Sequence, residues 1–428
     1  MLILPFVVMV VALLIGLPIA FSLAVSGIFG IYLVTGNLKM IMVVLGTTPF
    51  STVADYALTT IPMFILMAFF SASSGLAKDL FKAAANWLSH IRGGLGVATV
   101  FACGIFGAMS GASVAAASVM AAIAYPEMRR HGYSEELAAG TVGIGATLDI
   151  LIPPSVAMVI YGIVTQTSIA KLLIAGTIPG IIVGIFLAAA IFAWVWIRPQ
   201  DAPETYRVPM AERWASARRV WPSLLLILIV IALLYTGVVT PTETGAIGAF
   251  MAAVIGAAFG RLTWAGTMDA LKQTVKTCTM IFMVIIGAGI FGVFMTLSRV
   301  PQHVVAAVMD MNLNRWVVII GIVVVYFVIS MFMDEIPLLL LTLQLTFPLI
   351  TKLGFDPIWF GVLSMMMVAM GLVFPPVGVI AFVVSATAKC DLMKVYTGTS
   401  VLMIAIVITT ILMMFFPQMA LWLPATMR

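Results

Sequence analysis

Charge is the scarcest commodity in this sequence. Asp, Glu, Lys and Arg make up 9% of its 428 residues, against about 25% in soluble chains, and so little polar surface cannot cover a water-soluble particle. The only histidines, His90, His131 and His303, fall in flanking segments. An intramembrane Ser–His hydrolase needs one at depth. Cys103, Cys278 and Cys390 are scattered in apolar surroundings, with neither metal-ligand spacing nor a disulfide framework. No phosphate loop of the form GxxxxGK[ST] occurs, and no segment is long and polar enough to form a nucleotide-binding domain. The chain therefore does not hydrolyse ATP, and its work is driven by an ion gradient or by a partner. The apolar stretch Met1 to Tyr32 lacks a basic leader and a small-residue cleavage site, so it reads as membrane helix.

What the chain has instead is 63% hydrophobic residues and a mean hydropathy of +1.21. Continuous apolar runs long enough for a hydrocarbon core of ~30 Å recur throughout. Their continuity points to helices in a lipid bilayer rather than to the short alternating segments of an outer-membrane barrel.

Two stretches keep register at an offset of 222 residues. Tyr125-Pro126 answers to Phe347-Pro348, Gly132-Tyr133 to Gly354-Phe355, Pro153-Pro154 to Pro375-Pro376, and Gly176-Thr177 to Gly398-Thr399. Pro and Gly set backbone geometry, so their register predicts a duplicated plan. One repeat covers 1–197 and a second 223–428, joined by the polar linker 198–222. Each repeat is predicted to carry an apolar stretch broken at its tip (96–124 and 317–346) and a helix interrupted near Pro-Pro (137–165 and 357–387). The broken stretches are too short for two full crossings, so they read as re-entrant hairpins. Each half then crosses an odd number of times, and the halves have opposite orientation.

With the linker inside, Lys39, Lys171, Arg299, Arg315, Lys352 and Arg428 fall outside and the other fifteen of the 21 Lys and Arg fall inside. This positive-inside bias places both termini outside and accounts for the net charge of +5 without a nucleic-acid partner. The fold class expected is an all-α polytopic membrane protein with inverted repeats. Inverted repeats with discontinuous helices are a signature of secondary transporters.

Four breaks carry the candidate chemistry. The first, Ser110-Gly111-Ala112-Ser113, offers hydroxyls and carbonyls to a hard cation; small-residue helix packing is the alternative. The second runs through Gly145, Thr147, Asp149, Pro153, Pro154 and Ser155. Pro removes a helix donor and displaces the preceding residue from the α region. Asp149 is an intramembrane carboxylate, a functional candidate by default. The third, Met333-Asp334-Glu335, aligns with the first, and its adjacent carboxylates need a cation, a proton or a basic partner. The fourth, Gly371 to Gly378 with Pro375 and Pro376, places Gly371 where the first half has Asp149. The symmetry predicts two cation sites, tip 110–113 with break 145–150 and tip 333–335 with break 369–374, with solute between the tips. Thr240-Pro-Thr-Glu243 reads as a helix cap.

At these motifs the sequence resembles the large membrane subunit, DctM-type, of tripartite ATP-independent periplasmic (TRAP) transporters. The matching stretches FGAMSGASVA, YPEMRRHGYSEELAAG, GATLDILIPPS, GVVTPTETGAIGAF, MFMDEIPLLLLT and GLVFPPVG occur in the family's order and span the chain. The resemblance implies an elevator-type transporter of the bacterial cytoplasmic (inner) membrane. In it, hairpins and broken helices slide against a scaffold, and Na⁺ drives import of a small organic anion such as a C4-dicarboxylate or sialic acid. It also implies two partners, a small four-helix membrane subunit (DctQ-type) and a periplasmic substrate-binding protein (DctP-type). On this footing Ser110, Gly111, Ser113, Gly145, Thr147, Asp149, Asp334, Glu335 and Gly371 are the expected cation ligands. Ser113, Pro153, Pro154, Ser155, Pro375 and Pro376 are the expected solute contacts. The position of Asp149 is often Gly in the family pattern, so the extra carboxylate bears on cation binding or solute preference. A stand-alone Na⁺- or H⁺-coupled dicarboxylate symporter of the same superfamily and a non-transporting membrane scaffold are the competing readings.

Overall fold

A computed structural model describes residues 3–202 and 205–427. Met1, Leu2, Pro203, Glu204 and Arg428 lie outside the described residues, and with them Arg428 of the charge distribution and part of the linker.

Helix is the only regular structure among the described residues. The first half holds α1 (Leu4–Leu14), α2 (Ile19–Thr35), α3 (Leu38–Val53), α4 (Thr60–Ser73), α5 (Leu76–Leu88), α6 (Gly94–Ser110), α7 (Ser113–Arg130), α8 (Glu135–Ala146), α9 (Val156–Thr165), α10 (Ile169–Ala175) and α11 (Thr177–Ile197). The second holds α12 (Met210–Thr236), α13 (Pro241–Ala258), α14 (Trp264–Ser298), α15 (Val300–Asp310), α16 (Arg315–Ser330), α17 (Glu335–Lys352), α18 (Pro357–Gly371), α19 (Val379–Ala388), α20 (Leu392–Leu402), α21 (Ile404–Phe415) and α22 (Gln418–Ala425). Six helical stretches are long and apolar enough to cross a membrane: Tyr56–Ser73, Ile169–Ile197, Met210–Thr236, Trp264–Ser298, Glu335–Lys352 and Leu392–Phe415. Their outer faces are apolar, as with Ile185, Leu228, Val275 and Ile411, and a surface of that kind belongs in lipid.

One element differs from the sequence expectation. Helix α12 starts at Met210, inside the stretch read as linker, because Met-Ala-Glu-Arg-Trp-Ala-Ser-Ala-Arg-Arg is rich in good helix formers and Pro209 marks its start. Of the described residues in that stretch, 198–202 and 205–209 stay outside α-helix. Helix α14 runs unbroken from Trp264 to Ser298. Helix α22 is the last among the described residues.

Packing joins the halves. Helix α2 lies along α14 and α13 along α4, two pairings that exchange under the 222-residue offset. Helix α8 lies along α20, where Lys394 forms an ion pair with Glu136. The linker is tied down as well: Tyr206 stacks on His131 with ring centroids 4.3 Å apart, and the Ser134 N–H donates to the Asp201 carbonyl at 2.9 Å.

Candidate functional site: two helix breaks meeting at a cavity

Helix α6 ends at Ser110, and Gly111 turns the chain at φ +59°, a left-handed conformation that glycine adopts without penalty. A side chain at Gly111 would also strike the Pro154 carbonyl oxygen, 2.8 Å from the position its Cβ would take. The Val156 N–H donates to the Gly111 carbonyl at 3.2 Å, so the first tip and the first Pro-Pro break hold each other. Helix α7 then starts from Ala112, which has no side chain to cap it. Its first N–H groups are open, and a helix N-terminus carries partial positive charge.

Beside this tip, α8 tightens into a 3₁₀ turn, Thr147–Ile150, and Pro153-Pro154 adopts a cis bond before α9 begins. Asp149 lies in that turn, pressed against α6 where Gly107 leaves room; a Cβ there would come within 2.6 Å of the Asp149 Cβ. The Asp149 carboxylate is 1% exposed. Both its oxygens lack a hydrogen-bond partner, as does the Ser110 hydroxyl.

The second tip uses a carboxylate where the first has alanine. Asp334 caps α17 by accepting from the Glu335 N–H at 2.9 Å. At the second break the Gly378 N–H, at the position of Val156, donates to the Met331 carbonyl at 2.9 Å, two residues before the position of Gly111. Gly371 packs on Ser330, whose hydroxyl reaches the Met367 carbonyl at 3.3 Å.

The two tips touch. The Ser113 hydroxyl donates to Glu335 Oε2 at 2.8 Å, and these residues are 222 apart in sequence. Both are buried. Next to them opens a cavity of ≈ 410 Å³, lined by Gly111, Ala112, Ser113, Asp334 and Glu335 on the tip side and by Gln273 and Thr277 of α14 opposite. No Lys or Arg lines it. Among the described residues the ion pairs are His131–Glu127, Arg261–Asp79 and Lys394–Glu136, so Asp149, Asp334 and Glu335 have no basic partner. No three His, Cys, Asp or Glu among the described residues converge as in a resident metal centre. The oxygens on offer are carboxylates, hydroxyls and backbone carbonyls, the ligand set of a hard cation.

The remaining expected residues stand apart from the cavity. The Thr147 hydroxyl bonds the Ile144 carbonyl at 2.8 Å, and Gly145 packs on Cys103. Ser155 caps α9, accepting from the Met158 N–H at 3.4 Å. Pro153 and Pro154 are buried behind the first tip, while Pro375 is half-buried and Pro376 exposed. None of these lines the 410 Å³ cavity. Gln273, Thr277 and Ser118 do, and the sequence reading passed them over. The signal available was the i, i+4, i+8 spacing of Asp269, Gln273 and Thr277 in an apolar run.

This geometry can be set beside known proteins. The family model for the tripartite ATP-independent periplasmic transporter, DctM component, matches residues 6–419. The chain belongs to this family. It is similar to the C4-dicarboxylate TRAP transporter large permease protein DctM of Pseudomonas aeruginosa, with 33% identity over 88% of each chain. It is also similar to the ectoine/5-hydroxyectoine TRAP transporter large permease protein UehC of Ruegeria pomeroyi, with 31% identity over 98% of this chain and 97% of that one. The crystal structure of the Alcanivorax borkumensis YdaH transporter has a similar fold, with a TM-score of 0.62 over 89% of this chain and 87% of the other at 15% identity. The chain is thus a multi-pass membrane protein of the DctM family.

Proposed function

We propose that this DctM-family chain is the permease that imports a small organic anion across the bacterial cytoplasmic membrane, driven by Na⁺. A DctP-type periplasmic protein delivers the solute, and a DctQ-type four-helix subunit widens the scaffold. The observation that carries this reading is the cavity at the tips: the uncapped N-terminus of α7, the buried Glu335 and the half-buried Asp334 face it side by side, and no basic side chain lines it. An anion is held there by the N–H groups of α7 and by hydroxyls. Its charge, and that of Asp334 and Glu335, is offset by Na⁺.

Asp149 and Ser110 form the natural second cation locus, since their buried oxygens have no protein donor and an isolated buried charge is costly. The solutes named for the two relatives, a C4-dicarboxylate and ectoine, both carry a carboxylate, which favours a carboxylate here, sialic acid and related acids included. In this reading the halves 1–197 and 223–428 are inverted repeats, α6–α7 and α16–α17 are re-entrant hairpins, and hairpins and broken helices move as one body against α2, α4, α13 and α14. The linker is cytoplasmic and the termini periplasmic, as the charge distribution favours.

The test is solute uptake into proteoliposomes holding this chain and its small partner, with and without an inward Na⁺ gradient and the binding protein. Uptake that needs both is the expected result. Uptake without the binding protein would make the chain a stand-alone symporter, and indifference to Na⁺ would remove the cation sites.

A further inference from the structure

Helix α14 presents a polar stripe that the site described above uses only in part. Asp269, Gln273 and Thr277 recur at four-residue spacing and so lie on one face. Asp269 and Gln273 line a cavity of ≈ 270 Å³ together with Ser110, and Gln273 and Thr277 line the adjoining 410 Å³ cavity with Ser113 and Ser118. Among the described residues none of the three side chains makes a hydrogen bond, whereas Thr274, Thr279 and Thr296 of the same helix each bond a carbonyl four residues back. Polar groups inside a membrane protein are costly unless water, protein or a ligand satisfies them.

Beyond Thr277 the face changes character. Met280 and Ile281, which also line the 410 Å³ cavity, are followed by Val284, and the three line a third cavity of ≈ 340 Å³ in which Asp334 is the only charged residue. The change falls level with the second tip.

We propose that Asp269, Gln273 and Thr277 form one wall of an aqueous route by which a small organic anion leaves the tips, and that Met280, Ile281 and Val284 seal the opposite direction. This rests on the reading of the chain as an anion permease. The route opens at the end of α14 that carries Asp269, Lys272 and Lys276, the end the charge distribution puts inside.

The test uses 2-sulfonatoethyl methanethiosulfonate, itself a small organic anion, on inside-out membrane vesicles holding the full chain with its small partner. Gln273→Cys and Thr277→Cys are compared with Val284→Cys beyond the seal and with Val275→Cys, 65% exposed on another face. Labelling of the unsubstituted chain, whose Cys103 and Cys278 are buried and whose Cys390 is half-buried, is subtracted. The charged reagent does not react from lipid, so positions 273 and 277 are expected to react at least about tenfold faster than 275 and 284. Either variant alone suffices if the other does not reach the membrane. Rates at 273 and 277 no higher than at 275 would overturn the route, and equal rates at 277 and 284 would overturn the seal. The labelling needs no Na⁺. Fast labelling without Na⁺-driven uptake would sink the coupling mechanism and leave the route; slow labelling with Na⁺-driven uptake would do the reverse.

Discussion

Positions 38–73 and 260–295 correspond under the 222-residue offset, yet they are built differently. In the first half the chain makes two helices, α3 and α4, separated by a break at Asp55 and a 3₁₀ turn, with Pro49 inside α3. In the second half Leu271 and Thr277 stand at those two positions, and α14 runs unbroken for 35 residues. At 1.5 Å per residue that is roughly 50 Å, well beyond a ~30 Å core. The tips differ in the same spirit. Ala112 leaves the first helix N-terminus open, and Asp334 closes the second. Single residues at positions 222 apart thus decide which half lines the cavity with an unbroken helix and which leaves a helix N-terminus open, the anion seat of the proposed function.

Four substitutions break or sharpen this contrast. Leu271→Pro imports the proline of α3 into α14. It removes a helix hydrogen bond at a cost of about 3 kcal/mol and is expected to abolish uptake and lower the amount of protein in the membrane, read by uptake and immunoblot. Ala112→Asp gives the first tip the cap of the second. A helix cap contributes about 1 kcal/mol, so thermal unfolding in detergent should hold or rise, while the added carboxylate occupies the open N–H groups and cuts anion uptake at least about tenfold. Unchanged uptake would show that this N-terminus is not the anion seat. Ser113→Ala removes the tip-to-tip hydrogen bond to a buried carboxylate, worth roughly 1.5–3 kcal/mol. It should lower uptake severalfold and raise the Na⁺ concentration for half-maximal rate. Normal Na⁺-dependent transport would count against Ser113 at the cation site. Asp55→Ala removes the acceptor of the Ala57 N–H, 2.9 Å away. The expected loss is about 1 kcal/mol, a fall of a few degrees in Tm with uptake unchanged.

Much of this was legible in the sequence because it rests on local chemistry. The breaks at Gly111, at Pro153-Pro154, at Asp334 and at Pro375-Pro376 follow from glycine's freedom, from the missing donor of proline and from a carboxylate's taste for helix N-termini. The limits of α6, α7, α16 and α17 fall close to where those residues put them. The start of α12 was obscured because 210–222 is polar, and polarity resembles a linker unless helix propensity is weighed against it.

By itself the sequence determined that this is a helical membrane protein, broken at defined Pro and Gly positions, with a family membership carried by its motifs, since composition and the placement of Pro and Gly act through the backbone alone. Only the tertiary structure decided that Ser113 meets Glu335, that Asp149 is pressed against Gly107, and that Thr147, Ser155 and Gly371 are taken up by packing and caps. It alone also brought Gln273 and Thr277 opposite the tips. Those relations join segments many residues apart, and they depend on which face of each helix its neighbours cover, which no local pattern specifies.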